Sequence, residues 1–400
     1  MALLLVVPAR AADPPGEGAV KEETTEFTPA PIIGGNSDLG IGGGVIGSFA
    51  RMKPGFEPYV YRFELTSMTM LKGERGTLKV PYQDDYLLFS MPNLFGRRMK
   101  LEFRAAYTRE TTLKYYGIGN ASKVPASRSL DDPLYEYERT HPELTAKSRI
   151  LLVGKLFVIL GLGYTHNWLH VRSDTLLATD ARAGSPVVRD MVTAFAPHGV
   201  MTFSYGVELD TRNEEVSPAR GQYLATRVDL SPGGTDGVPQ RWGRSDTSLR
   251  WFVPVGQDGS TVAARIVGDL TFGDPPIYEL SRFDDTGAIG GPNGVRGVPG
   301  QRYHGQIQVF GNLEFRKMLF HFRFLGKDNG FEMATFIDAG RVWATYASHP
   351  ELDGTSLGLK LGIGGGPRLV AGKSFVLRGD VAWSPDARPI GAYLTAGHAF

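Results

Sequence analysis

From residue 27 to residue 400, apolar and polar side chains alternate with a period of two. The clearest stretch is 200–210. Met201, Phe203, Tyr205, Val207 and Leu209 share one side, and Thr202, Ser204, Gly206, Glu208 and Asp210 share the other. In 306–317, Ile307, Val309, Leu313 and Phe315 oppose Gln306, Gln308, Asn312, Glu314 and Arg316, with Phe310 as the one exception. Leu101, Phe103, Ala105 and Tyr107 oppose Glu102, Arg104 and Thr108 in the same way. Stretches with apolar residues at i, i+3, i+4 and i+7 are nearly absent, so the pattern predicts an all-β chain. About sixteen strands are expected, near 27–35, 39–51, 57–70, 73–90, 97–110, 142–154, 156–171, 199–210, 221–231, 243–254, 260–273, 304–318, 330–340, 357–368, 372–383 and 391–400.

A soluble sandwich also alternates, and three features separate it from a membrane barrel. Several expected strands exceed the ~5–6 residues usual in soluble sheets and reach the ~9–11 residues that a tilted membrane strand needs. The polar faces carry acids and bases two apart, at Arg62/Glu64, Glu102/Arg104, Arg227/Asp229, Glu314/Arg316 and Arg378/Asp380. Side chains at i and i+2 share a face, and charges enclosed in a lumen need such partners. The long connections, 111–141, 172–198, 274–303 and 341–356, all follow odd-numbered strands, whereas those after even strands are mostly short. Long surface loops and short periplasmic turns mark an up-and-down antiparallel transmembrane β-barrel. An even strand count puts both ends of the barrel on the periplasmic side.

Composition narrows the picture further. A net charge of +1 over 400 residues provides no field for nucleic acid. Hydrophobic residues make up 42%, yet mean hydropathy is −0.16, so apolar residues are interleaved rather than gathered in blocks. No run approaches the ~18 uncharged apolar residues of a membrane helix. With no cysteine, disulfides, thiolate chemistry and cysteine zinc sites are excluded. Gly 51, Tyr 16 and Phe 22 suit a barrel rich in tight turns and aromatics. Residues 1–12, an apolar run followed by Ala9-Arg10-Ala11, are expected to be a signal peptide whose true start lies upstream. Residues 13–26, rich in Pro, Gly and charge, are expected to form a disordered lead-in to a barrel over 27–400.

Chemistry concentrates in the loop 274–303, which carries Arg296 and Gly297 amid many glycines. A guanidinium carried into an enclosed lumen cannot shed its charge and needs a carboxylate. Asp338 is one candidate: alternation puts it on the same face as Glu332, Ala334 and Phe336. On residue chemistry alone, a solvated arginine in a flexible loop remains an equal alternative.

The segment Gly290-Gly-Pro-Asn-Gly-Val-Arg296-Gly297-Val298 resembles the VRG[F/Y] signature of the BamA/TamA surface-antigen superfamily of outer-membrane barrels. Here Val298 stands where the family has an aromatic residue. Phe336-Ile-Asp338-Ala-Gly340 resembles the family's F-x-D-x-G motif. Tyr115-Tyr116-Gly-Ile-Gly-Asn120, Glu208-Leu-Asp210-Thr-Arg212 with Pro218-x-Arg220-Gly221, and Gly362–Arg368 are weaker echoes in the right order. The resemblance covers roughly residues 27–400. It implies a sixth surface loop inserted into the lumen, with Arg296 received by Asp338 on the inner wall. Glu314 and Glu332 are further candidate luminal partners. It also implies a bacterial outer-membrane location, membrane lipid around the barrel, an unfolded outer-membrane protein or other polypeptide as client, and a monomeric barrel. Family members use a weak seam between first and last strands. Pro29 and Pro31, which cannot donate to a ladder, and the C-terminal Phe400 are the expected seam residues. Family relatives carry soluble POTRA modules ahead of the barrel, and the stretch before residue 27 is too short to hold one.

Enzyme signals are set aside. No G-x-S-x-G elbow occurs. Ala371-Gly372-Lys373-Ser374 lacks the first glycine of a phosphate loop, since Pro367 stands there, and a strand follows it. His166 and His170 lie four apart on a strand, too far apart for one metal. A surface Ser/His pair stays open as an alternative, but the expectation is a non-enzymatic barrel without cofactor or metal. The expected role is membrane-protein insertion or polypeptide transport. The alternatives are a plugged passive channel or structural barrel, or an exporter of a separately encoded partner.

Overall fold

The computed structural model describes residues 23–400 except 75, 193–194, 235–239, 257–258, 282–288, 325–326, 372–374 and 387–389. The expected signal peptide, and the lead-in up to residue 22, lie outside the described residues.

The alternating pattern becomes sixteen antiparallel strands, each bonded to its sequence neighbours, with β1 meeting β16 to close the barrel. In order they are β1 Thr24–Asn36, β2 Gly40–Met52, β3 Tyr61–Glu74, β4 Thr77–Asn93, β5 Met99–Lys114, β6 Glu136–Val153, β7 Leu156–His170, β8 His198–Asp210, β9 Gly221–Ser231, β10 Trp242–Val255, β11 Ser260–Gly273, β12 Ile307–Phe324, β13 Lys327–Trp343, β14 Lys360–Ala371, β15 Phe375–Trp383 and β16 Gly391–Ala396. Thr24, Thr25 and Glu26, expected in the lead-in, belong to β1.

Outward positions are apolar and exposed, among them Leu65, Leu144, Phe203, Leu313, Ile337 and Val381. That is the surface a lipid bilayer covers. Inward positions carry the charges. Four of the five acid–base pairs predicted two apart form: Arg62–Glu64 at 3.2 Å, Arg227–Asp229 at 3.2 Å, Glu314–Arg316 at 2.9 Å and Arg378–Asp380 at 3.5 Å. The fifth does not, because Arg104 reaches across strands to Glu143 at 3.0 Å and Asp84 at 3.5 Å. Glu102 pairs with Lys100 at 2.9 Å instead.

The long connections gather at one rim. Two short helices in the connection between β7 and β8, Leu176–Ala183 and Pro186–Met191, pack Leu177 and Val188 against Tyr115, Ile118, Ile277 and Leu280. Tyr115 donates to Asp180 Oδ2 at 2.8 Å across this cap. Beneath the cap lies a luminal cavity of about 1050 Å³, bordered by Asp84, Arg104, Glu143 and Arg227 on one side and by Asn293 and Gly297 on the other.

The final strand departs from expectation. Residues 391–400 are predicted as one strand, but β16 ends at Ala396. Gly397 adopts φ +77 and turns the chain inward. The next residues cross the lumen, where the Arg265 guanidinium donates to the Ala399 carbonyl at 3.2 Å and Arg316 to that of Phe400 at 3.3 Å. Phe400 packs with Phe252 and Ala263, so it lies away from the seam strand on which it was expected.

Candidate functional site: a buried arginine and the seam beside it

Between β11 and β12, residues 289–304 fold down into the barrel, and Arg296 is fully buried there. Its side chain meets Asp338 with both faces of the fork: Nε to Oδ2 at 2.8 Å and Nη2 to Oδ1 at 2.9 Å. The backbone N–H of Arg296 donates to the same carboxylate at 3.1 Å. Nη1 donates to Glu314 and, at 3.3 Å, to Asp380. The guanidinium lies over the Phe336 ring, 3.3 Å from its centroid. Asp338 and Phe336 are brought there by their shared parity on β13, as the alternation predicted.

A bidentate, charge-assisted pair in a dry interior is the strong form of this contact. Its desolvation cost is offset only where every charge is paired. The surrounding wall supplies most of that pairing, the exception being Arg265, which meets Asn312 and backbone carbonyls rather than an acid among the described residues. Arg368 donates to Asp380 at 2.6 Å, and Arg316 to Glu314 at 2.9 Å. Asn312 bridges Asp338 Oδ1 and the Gly294 carbonyl, both at 2.7 Å. Arg378 and Arg265 grip the loop backbone ahead of the tip, at Pro292 and Asn293.

Apolar packing completes the seating. Val295 and Val298 are fully buried with Ile289, Tyr303, Phe310 and Val342. This explains the exception in the β12 alternation: Phe310 faces inward because the loop provides its partner. Val298, where the resembled family has an aromatic, fills this cluster.

Glycines make the close approach. Gly297 holds φ +90 and donates to the Tyr393 hydroxyl at 2.9 Å. A Cβ on Gly362 would run into the Arg296 carbonyl, and one on Gly340 into Ile289 and Phe310. Farther up the loop, Gly300 donates to Asp38 in the β1–β2 turn at 2.9 Å.

Of the residues proposed from sequence, the structure brings together Arg296, Gly297, Asp338, Phe336, Glu314 and Gly340. Glu332 is buried on the inner wall but has no hydrogen bond or ion pair to Arg296 among the described contacts. The sequence reading missed Asp380, Arg368, Asn312 and Tyr393 as parts of the site. The one available signal was the acid–base spacing at Arg378/Asp380.

Tyr393 links the loop to the seam. Only Gly35↔Leu394 and Asn36↔Tyr393 register across β1 and β16, whereas β15 and β16 share six registered pairs. Residues 24–34 of β1 pair with β2 throughout, with no register to β16. Pro29 and Pro31 lie in that stretch. Since the ladder to β2 runs through them unbroken, their donorless nitrogens belong on the edge facing the seam.

A model of the Omp85 superfamily domain matches residues 73–397. The sorting and assembly machinery component 50 homolog of Xenopus tropicalis is 27% identical over 244 residues, 59% of this chain and 49% of its own length. The human homolog is 27% identical over 243 residues, again 59% of this chain and 49% of its own length. The chain thus spans about half the length of the curated relatives it matches. Among solved structures, BamA from Haemophilus ducreyi lacking POTRA domains 1-3 superposes with a TM-score of 0.64 at 13% identity, covering 98% of this chain and 75% of that one. CdiB from Escherichia coli gives 0.58 at 12% identity, covering 98% and 67%. With its family domain, closed sixteen-strand wall and apolar exterior, this chain is an outer-membrane barrel and belongs to the Omp85 superfamily.

Proposed function

We propose that this barrel handles polypeptides at the seam between β1 and β16, inserting membrane proteins or passing chains across the membrane. The observation that carries the reading is the seam itself, with two registered pairs. An unpaired strand edge templates another strand. β16 has six residues, fewer than the ~9–11 a tilted strand needs to cross a bilayer. A wall this short favours local thinning of the membrane. Relatives named for sorting and assembly, and the fold shared with BamA and CdiB, support the same class of role. The reading asks for no bond-making chemistry and no cofactor. Client identity and a monomeric working state belong to the same proposal.

A second reading, a plugged passive barrel, is favoured by the cap over the lumen and the loop seated inside it. The two separate in a liposome assay. With the protein embedded, an unfolded reporter barrel inserts faster than into empty liposomes if the seam works. An unchanged rate, with the protein itself folded, supports the plugged barrel instead.

A further inference from the structure

β13 carries a cation on the wrong side of the wall. Asp338 and Val342 face the lumen, so Arg341 and Trp343 face outward, beside the exposed Ile337. Arg341 registers with Val309 of β12, itself on the lipid face, and Trp343 registers with Ile307. The exposed Leu357 and Leu359 flank it on the side of β14. An arginine on the lipid face is costly at the midplane and far less so near the interface. Its place at the long-loop end of β13 puts it at that boundary.

The guanidinium is held but not neutralised. Nη1 donates to the Ser356 and Leu357 carbonyls, and Nη2 to the Asp353 carbonyl at 3.3 Å. Nε is buried without a partner. No carboxylate forms an ion pair with it among the described residues. The Trp343 ring lies 5.0 Å from the guanidinium carbon. Beside them runs a groove of about 440 Å³, lined by Arg341, Trp343, Thr345, Tyr346 and Ser348 above Ile307 and Val309. Asp353 also borders it, with its carboxylate Oδ1 taken up by the N–H groups of Ala344 and Asn120. A fixed cation, three hydroxyls and two aromatic rings thus stand above an apolar floor at the bilayer boundary. Interfacial aromatics sit at headgroup level, and a planar guanidinium suits phosphate oxygens.

We propose that this groove is a lipid site. It takes the phosphate-bearing headgroup of an anionic lipid in the leaflet at the long-loop rim, with Arg341 as its counter-charge and the acyl chains running down over Val309 and Ile307. Such a lipid would pin the loop 344–359 to the membrane boundary and supply the anion that the protein does not.

Native mass spectrometry of the folded barrel in neutral detergent tests this, using dioleoyl phosphatidylglycerol, dioleoylglycerol and inorganic phosphate as separate probes. The wild-type protein is expected to retain one phosphatidylglycerol about tenfold more tightly than Arg341→Gln, and to show no such difference for dioleoylglycerol. Arg128→Gln, which removes an exposed loop cation, should bind like wild type. Equal retention by Arg341→Gln would overturn the proposal, as would inorganic phosphate competing the lipid away. If Arg341→Gln does not fold, the wild-type barrel still decides the matter. Brominated phosphatidylglycerol should quench the emission that Trp343→Phe removes, and brominated dioleoylglycerol should not. Equal quenching by both lipids would contradict a headgroup site.

Discussion

At the scale of single residues, the inserted loop is held by one charge that cannot be shed. Arg296 is surrounded by Asp338, Glu314 and Asp380, all buried. Arg296→Ala leaves these acids short of a counter-charge, and breaking such a buried pair costs about 3–5 kcal/mol. A lower urea midpoint for the barrel in vesicles is the expected outcome, together with larger single-channel conductance as the loop leaves the lumen. Arg296→Lys keeps the charge but loses the fork, so it should fall between the two. Of this site, Arg296 and Asp338 were legible in the sequence because the alternation fixes which way Asp338 points. Asp380 and Arg368 were not, since their approach to Arg296 depends on how β12 to β15 curve around the loop, and no local pattern encodes that curvature.

His304, on the returning arm of the same loop, makes a second residue-scale prediction. It is fully buried, with both ring nitrogens unpartnered beside Tyr115. Burial, aided by the nearby Arg302 charge, pushes its pKa down from 6.5 to about 3. The unfolded loop therefore binds the proton first, and the seated loop loses stability as pH falls from 6.5 towards 3. Limited proteolysis of the loop should accelerate over that window in the wild type and much less in His304→Phe. A flat profile in the wild type would remove His304 from the account.

At the scale of elements, the wall was largely readable and its exceptions were informative. Strand faces followed the period of two wherever lipid lies on one side and charge on the other. Phe310 broke the rule because an inserted loop replaces water as its neighbour. The two helices of the cap escaped notice because eight and six residues are too few to display a helical period. Thr175 and Ser185, whose hydroxyls accept from the Ala178 and Val188 N–H groups, both at 3.3 Å, were their local start signals. The last strand was read as too long because Tyr393 to Phe400 looks like continuous barrel sequence, whereas Gly397 and the carbonyl contacts from Arg265 and Arg316 draw its end inside. The close seating of the loop on β14 gives the element-scale prediction. Gly362→Ala should unseat the tip without altering any charge, because its Cβ meets the Arg296 carbonyl. Its conductance should therefore rise as that of Arg296→Ala does. Wild-type conductance in Gly362→Ala would show that the wall tolerates a looser tip.

At the scale of the whole molecule, the β1–β16 seam has the shortest registered ladder of the wall, two pairs among the described residues. The inserted loop holds β12 to β15 together around Arg296, and through Gly297 and Tyr393 it also touches the strand that closes the seam. Loop and seam are therefore one mechanical unit, the loop anchoring the surface end of β16 while the rest of β1 stays unpaired with it. The chain contains no cysteine, so a staple can be placed without background. Ile33 and Ala396 stand where the next outward-facing pair would fall if the seam continued. The most direct measurement of the central claim is reporter-barrel insertion into liposomes carrying Ile33→Cys/Ala396→Cys, oxidised and then reduced. Loss of acceleration on oxidation and its return on reduction is the predicted result. Acceleration that persists with the staple closed would place the activity somewhere other than the seam.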